Sequence, residues 1–294
     1  MSAAIPNGRP ERRRTVGVLI LTGSTFLNQL GAAIGSFAFP LIGPLGVVVI
    51  RQFVAAVVLL PSVRPRFWRF SWAQWWPMLL LAVVSGVMNL TLYLSIQRIG
   101  LGLAVTLEFL GPLAVALIGS RSRSGILFGI LAAGGVVAIT HPQLSTDYLG
   151  VALGLFAGGC WACYILLNRT VGRRLPGIQG TAMAVGVSAT LFLPVGIILF
   201  VASPPSPFAI LCGVGAGILA TIVPYIADII ALRRVPAYLF GLLMSMNPIY
   251  AALIGAVLLG QLLEPLEWIG IGLVVVANAG SLIVHKPVDA TVEL

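Results

Sequence analysis

Charge is what this sequence uses least. Only 9% of its 294 residues are charged and just eight are acidic, where a soluble domain carries about 25% charged residues. With 59% hydrophobic residues and a mean hydropathy of +1.06, the chain cannot cover a water-facing surface, and the composition predicts a membrane protein. Lysine is almost missing: 16 of the 17 basic residues are Arg. They stand in short clusters between apolar runs, so the net charge of +9 reads as topology signalling and not as a nucleic-acid surface. Three cysteines make no disulfide framework; Cys160 and Cys163, within an apolar helix, are neighbours on one packing face. The two histidines, His141 and His285, form no cluster. The sequence has no G-x-x-x-x-G-K-[ST], no HExxH and no serine with an evident triad partner, which disfavours P-loop nucleotide binding, metal chemistry and a membrane enzyme. No cofactor or metal is expected.

Long apolar runs are abundant instead. A span needs about 20 mostly apolar residues. Ten are expected, at roughly 16–39, 44–61, 77–96, 101–120, 125–140, 149–168, 180–202, 208–231, 237–260 and 267–284. The breaks carry Pro, Gly or Arg, as in PLIGP, SRSRSG, SPPSP and LRRVP. The stretch RPERRR ahead of an apolar run resembles a signal peptide. That run, Val16 to Phe39, is too long for one, contains Asn28 and Gln29, and is followed by no cleavage site. A retained first helix is expected.

Placing the N-terminus inside puts fifteen basic residues in interior segments and one, Arg98, outside. That asymmetry predicts cytoplasmic termini. RIGLGLAVTLEFLGPLAVALIGS (98–120) aligns without gaps on RVPAYLFGLLMSMNPIYAALIGA (234–256), with eight of 23 positions identical and Pro112 over Pro248. Five spans per half is odd, so the halves must be inverted, as in secondary transporters. The expected fold is an all-α integral membrane protein of ten transmembrane helices in two inverted five-helix repeats: a cytoplasmic tail 1–15, a first repeat 16–143, a second 149–284 and a tail 285–294.

Within the spans, polar residues mark the candidate site. Gly111-Pro112 and Asn247-Pro248 interrupt helices at matching points, either as packing kinks or as pointers to a central site. Glu108 is an intramembrane acid, and burying a carboxylate in hydrocarbon costs several kcal/mol. Arg51 lies at matched depth, seven residues into its own span, so a structural ion pair is the bland alternative. A carboxyl held between a cation and an apolar surround can exchange a proton as a cavity opens to either side. Asp228, near the inner end of its span, is either a cavity acid or a snorkelling interface residue. Asn28, Gln29, Asn89, Tyr93 and Asn247 are the other polar groups at mid-depth. Each is a candidate substrate ligand or a helix–helix hydrogen bond. Trp161 and Tyr164 are expected to be packing or interface residues. GAAIG (31–35), GLFAG (154–158) and GVGAG (213–217) are patterns for close helix crossing.

The segment VPAYLFGLLMSMNPIYAALIGAVLLGQLLEPLEWIGIGLVVVANAG (235–280) resembles the drug/metabolite transporter superfamily, and more narrowly its EamA-type members and the bacterial threonine/homoserine exporter branch. Arg51-Gln52-Phe53, LEFLGPLAVAL (107–117) and PYIADIIALRRVP (224–236) extend that resemblance over nearly the whole chain. It implies an exporter of small amino acids or similar metabolites in the inner membrane, driven by the proton gradient. One motif departs: the branch usually has Met-Glu-Pro where this chain has Met246-Asn247-Pro248.

The expected function is therefore export of small neutral amino acids by proton antiport, with Glu108 as proton carrier or cavity anion, paired with Arg51, and Asn247 and the breaks at Pro112 and Pro248 contributing to substrate binding. Export of other metabolites or drugs, a passive channel, a lipid-moving protein and a membrane scaffold or sensor are the rivals. The expected partners are a small-molecule substrate, protons and the lipid bilayer, with no nucleic acid; monomer and homodimer both stay open.

Overall fold

The computed structural model describes residues 8–65, 68, 70–120, 123–140, 147–175 and 179–284. The expected tail 285–294 lies outside these residues, as do Arg66, Arg69, Arg121, Lys286, His141 and His285. The described residues form helices and no strand. In hydrocarbon, a helix is the structure that satisfies every backbone N–H and C=O within one segment.

In chain order the helices are α1 (Gly8–Ser36), α2 (Phe39–Val63), α3 (Trp72–Ile99), α4 (Leu101–Glu108), α5 (Leu110–Ser120), α6 (Arg123–Thr140) and α7 (Tyr148–Gly172). They continue with α8 (Gln179–Ala202), α9 (Pro207–Gly217), a π-helical turn (Ile218–Ile222), α10 (Val223–Leu232), α11 (Ala237–Met244), α12 (Asn247–Leu259) and α13 (Pro265–Val284). Nine helical stretches among the described residues are long and apolar enough to cross a membrane. A shorter apolar helix, Ser124–Thr140, lies where the fifth of the ten spans is expected.

Two boundaries differ from expectation. The tail 1–15 is helical from Gly8 onward. PLIGP is not a loop: α2 already begins at Phe39 and bends at Gly43 (φ 66°, ψ 168°). That conformation suits glycine and follows from Pro44, which disfavours helical geometry in the residue before it. Other ends follow capping rules. Ser206 accepts a hydrogen bond from the Ala209 N–H ahead of Pro207, and Asp147 does the same for Gly150. Gly260 closes α12 in the left-handed region.

The molecule is apolar outside and polar within. Val57, Ile198, Val201 and Val257 are exposed, while Gln29, Gln52, Glu108 and Asn247 are buried. α3 packs on α7 and α8, α1 on the α9–π–α10 rod and on α12, α2 on α8 and α9, α4 on α7 and α12, and α6 on α13. All three small-residue patterns sit at such crossings. A methyl on Gly31 would meet the Ala220 backbone nitrogen at 2.6 Å, one on Gly158 the carbonyls of Leu107 and Glu108 at 3.0 Å, and one on Gly213 the Ile50 side chain at 2.8 Å. Close backbone approach is what associates helices where the solvent itself is apolar.

Candidate functional site

Each predicted proline break is present, but displaced and gentle. The faults fall at Phe109 and at Ser245–Met246, with ψ of −9°, −11° and −9°. Pro112 and Pro248 sit just inside the helices that follow. A proline disturbs the turn before it, because its ring meets the carbonyl four residues back and its nitrogen gives that carbonyl no proton. The backbone stays right-handed through both faults, so these spans tighten and do not unwind.

The carbonyl left without a donor by Pro248 belongs to Met244. Asn247 Nδ2 donates to it at 2.8 Å, and Asn247 Oδ1 accepts from Gln29 Nε2 at 2.6 Å. Both residues are buried, and their amides are engaged with each other and with the break. Asn247 was expected among the substrate ligands; the structure has it closing the fault.

A third proline fault was missed in the sequence. Pro224 presents no N–H to the carbonyl of Ala220, and a π-helical turn precedes it. Single π turns inside α-helices are frequent at functional sites. Arg51 fills this fault: its Nη2 donates to Ala220 O at 3.0 Å and its Nε to Thr221 Oγ1 at 2.8 Å. The guanidinium carbon lies 5.4 Å from the centre of the Tyr93 ring, a cation–π contact. The expected pair with Glu108 is not a salt bridge. Among the described residues the one ion pair within 4.0 Å joins Arg98 to Asp147. Matched depth placed both charges at one level and was silent on azimuth.

Arg51 opens onto a polar cavity of about 200 Å³ between α2, α3, α7, α8 and α10. Asn89 and Asp228 line it, as expected. So do residues the sequence did not single out: Gln52, Ser85, Thr181, Thr221 and Tyr225. Tyr164, expected to be a packing or interface residue, also faces it. Gln52 Nε2 donates to Ser188 Oγ at 2.8 Å, pinning α2 to α8 beside the cavity. Asn89 donates to the Ser85 carbonyl at 2.8 Å. Asp228 Oδ1 is buried and accepts no hydrogen bond from the described residues. A second polar cavity, of about 280 Å³, is lined by Gln97, Arg98, Gln261 and Glu267, and an apolar groove is lined by Val49, Phe53, Leu193 and Phe200.

Glu108, the last residue of α4, is 6% exposed and lies outside that lining. No hydrogen bond from a described residue reaches its carboxylate, and the Arg51 charge acts on it across the gap. Tyr93 is fully buried, stacked edge-on against Phe39, and its hydroxyl has no partner among the described residues. Asn28 is half-buried on α1 and is not among the lining residues. Trp161 packs edge-on against Phe109 at 4.6 Å, the role expected of it. Gly111 and Gly158 bring α5 and α7 into backbone contact beside Glu108.

Residues 148–283 match the EamA-like transporter family. The threonine/homoserine exporter RhtA of Escherichia coli (strain K12) is 35% identical over 280 residues, 94% of this chain and 95% of that protein. The threonine/homoserine exporter RhtA of Salmonella typhimurium (strain LT2) is 36% identical over 270 residues, 90% of each. One solved crystal structure has the same fold, with a TM-score of 0.62 and 16% identity over 93% of this chain and 99% of that one. A multi-pass helical membrane protein with over a third of its residues shared along nearly the full length of such relatives, this chain belongs to the EamA-like transporter family and is a transporter, not an enzyme.

Proposed function

We propose that the protein exports small neutral amino acids of the threonine/homoserine kind across the bacterial inner membrane by proton antiport. The observation that carries this reading is the polar cavity among otherwise apolar helices, holding Arg51 and Asp228 with uncharged donors and acceptors around them. Its volume of about 200 Å³ is below the range of about 300–1,000 Å³ that receives drug-sized ligands. That favours a small metabolite over a drug. The printed function of the two relatives supplies the amino-acid class.

Glu108 is the proposed proton carrier. It is buried, free of hydrogen bonds from described residues, and under the influence of the charge of Arg51, the residue that links it to the cavity. Gln29 and Asn247 position the α11–α12 fault, and Tyr93 supports Arg51.

Ten spans in two inverted repeats, rocking against each other, are the proposed frame. The helix contacts support it: displacing one half by 136 residues carries α3-on-α7 into the α9–π–α10 rod on α1, and leaves α2-on-α8 as a self-matching pair. Gln52 and Ser188, bonded to each other, are themselves separated by 136 residues. Arg14 at the start of α1 reaches Tyr238 at the start of α11, and Arg174 after α7 reaches Ala73 at the start of α3. Both contacts agree with cytoplasmic termini.

The test is counterflow in proteoliposomes, with a labelled amino-acid panel outside and an imposed pH gradient, comparing wild type with Glu108→Gln. Gradient-driven accumulation of threonine or homoserine by wild type alone is the expected result. Equal exchange and equal pH response in both proteins would remove Glu108 from the coupling. Flux without saturation would replace the transporter by a channel.

A further inference from the structure

We infer that Arg51 and Asp228 are the two poles of a site for a zwitterion: Arg51 receives the free α-carboxylate of the substrate and Asp228 its free α-ammonium. The inference rests on the amino-acid reading above and assigns its recognition chemistry.

The Arg51 side chain is held in place before any substrate arrives. Its Nε and Nη2 are committed to Thr221 and to the Ala220 carbonyl. Its Nη1 has no hydrogen-bond partner among the described residues, and the residue lines the cavity. A planar guanidinium with one edge anchored and another open is suited to a carboxylate. Asp228 lines the same cavity, and its Oδ1 is buried without a donor among the described residues. A buried acceptor left unsatisfied is costly unless a ligand completes it.

Spacing agrees with charge. Thr221, the anchor of Arg51, and Asp228 are seven residues apart on one rod, about 10 Å along its axis at about 1.5 Å per residue. An α-amino acid hydrogen-bonded at both ends, at about 2.8 Å each, spans about 8 Å between its partners. The cavity carries one cation, Arg51, and one acid, Asp228. A zwitterion compensates both, whereas a monocarboxylate or a monoamine leaves one buried charge unpaired. Ser85, Asn89, Thr181 and Tyr225 complete the lining with groups able to meet a side-chain hydroxyl.

The experiment is displacement of labelled L-threonine from the purified, reconstituted protein. The competitors are unlabelled L-threonine, N-acetyl-L-threonine, which lacks the ammonium, and L-threonine methyl ester, which lacks the carboxylate. Neither blocked derivative is expected to displace the label from wild type at 100-fold excess. Asp228→Asn is expected to weaken threonine about 10- to 100-fold, as losing a charged hydrogen bond implies, and to narrow the gap between threonine and its N-acetyl derivative. Because Asp228 Oδ1 accepts no hydrogen bond, that substitution breaks no contact of its own there. Asp228→Glu is expected to recover part of the loss. Displacement of wild-type label by the blocked derivatives as readily as by threonine would overturn the two poles while leaving amino-acid transport standing. Unchanged threonine binding by Asp228→Asn would do the same. If wild type binds no amino acid, the pole assignment falls together with the proposed function. The wild-type arm decides the question whatever the stability of the variants.

Discussion

Arg51 Nη2 donates at 3.0 Å to the carbonyl of Ala220, the carbonyl to which Pro224 offers no N–H. A helix fault and a buried cation thus satisfy one another. An unpaired carbonyl in a membrane-embedded rod needs a donor, and a guanidinium among apolar helices needs acceptors. The same logic recurs at Pro248, where Asn247 gives its side-chain amide to Met244 O. In both places a proline has displaced backbone bonding onto a side chain from the polar set.

Arg51→Lys tests how much of this is geometry. Lysine keeps the charge but has no planar fork, so it cannot meet Thr221 and Ala220 O together. We expect a loss of about 1–3 kcal/mol in unfolding free energy and reduced flux, measured by denaturant titration in mixed micelles and by proteoliposome transport. Stability and flux equal to wild type would show that the π-helical turn does not depend on Arg51.

Gln29 and Asn247, 2.6 Å apart on α1 and α12, form a second testable pair. Asn247→Ala leaves both the Gln29 amide and the Met244 carbonyl unpaired, and we expect it to cost about 2–4 kcal/mol. Gln29→Ala should cost less, since Asn247 retains its bond to Met244. The double variant should fall short of the sum by about 1 kcal/mol. Additive losses would show that the amide bond contributes nothing to the fold.

Much of this architecture could be read from residue order, and the gaps have physical causes. Apolar runs located every helix, and the small-residue patterns at Gly31, Gly158 and Gly213 marked true crossings, because both signals are local to one segment. Pro112 and Pro248 announced their faults, although each fault lies in the preceding turn. Pro224 carried the same signal and was passed over inside an apolar match. Thr181, Tyr164 and Tyr225 were not legible at all. Their place in the cavity depends on how α7, α8 and α10 are rotated against α2 and α3, and no single segment encodes that. For the same reason the expected Arg51–Glu108 pair makes no salt bridge among the described residues: counting residues from the edge of a span says nothing of how the helices are rotated.

The α5–α7 crossing beside Glu108 makes a sharp contrast among glycines. A methyl on Gly111 would collide with the backbone carbonyl of Gly158, whereas one on Gly159 meets nothing within 4 Å. Backbone cannot retreat as a flexible side chain can. Gly111→Ala should therefore destabilise by several kcal/mol and disturb transport, while Gly159→Ala should leave stability within about 0.5 kcal/mol of wild type. Measuring both by thermal unfolding checks the crossing itself. A tolerated Gly111→Ala would mean that the helices are further apart than described.

Outside the spans, one acid gives a pH prediction with a definite sign. Asp147 accepts from the Gly150 N–H at 2.8 Å and from Arg98 at 3.0 Å. The first of these and then the second hold its carboxyl below the ordinary aspartate value of 3.8. A group whose folded value is depressed contributes stability above its unfolded value and loses it as pH falls through the folded one. The contribution of Asp147 should thus be complete at neutral pH and disappear as the solution is acidified below about 3.8. Asp147→Asn keeps an acceptor for the helix cap but removes the charge and its titration. Compared with wild type, it should show a small loss at neutral pH that shrinks on acidification, followed by unfolding midpoints from pH 7 down to pH 2. The effect should be small at any pH, because the pair is solvent-exposed. A difference that grows as the pH falls would mean that the Asp147 carboxylate is not favoured by folding, and that Arg98 and the Gly150 N–H do not hold it.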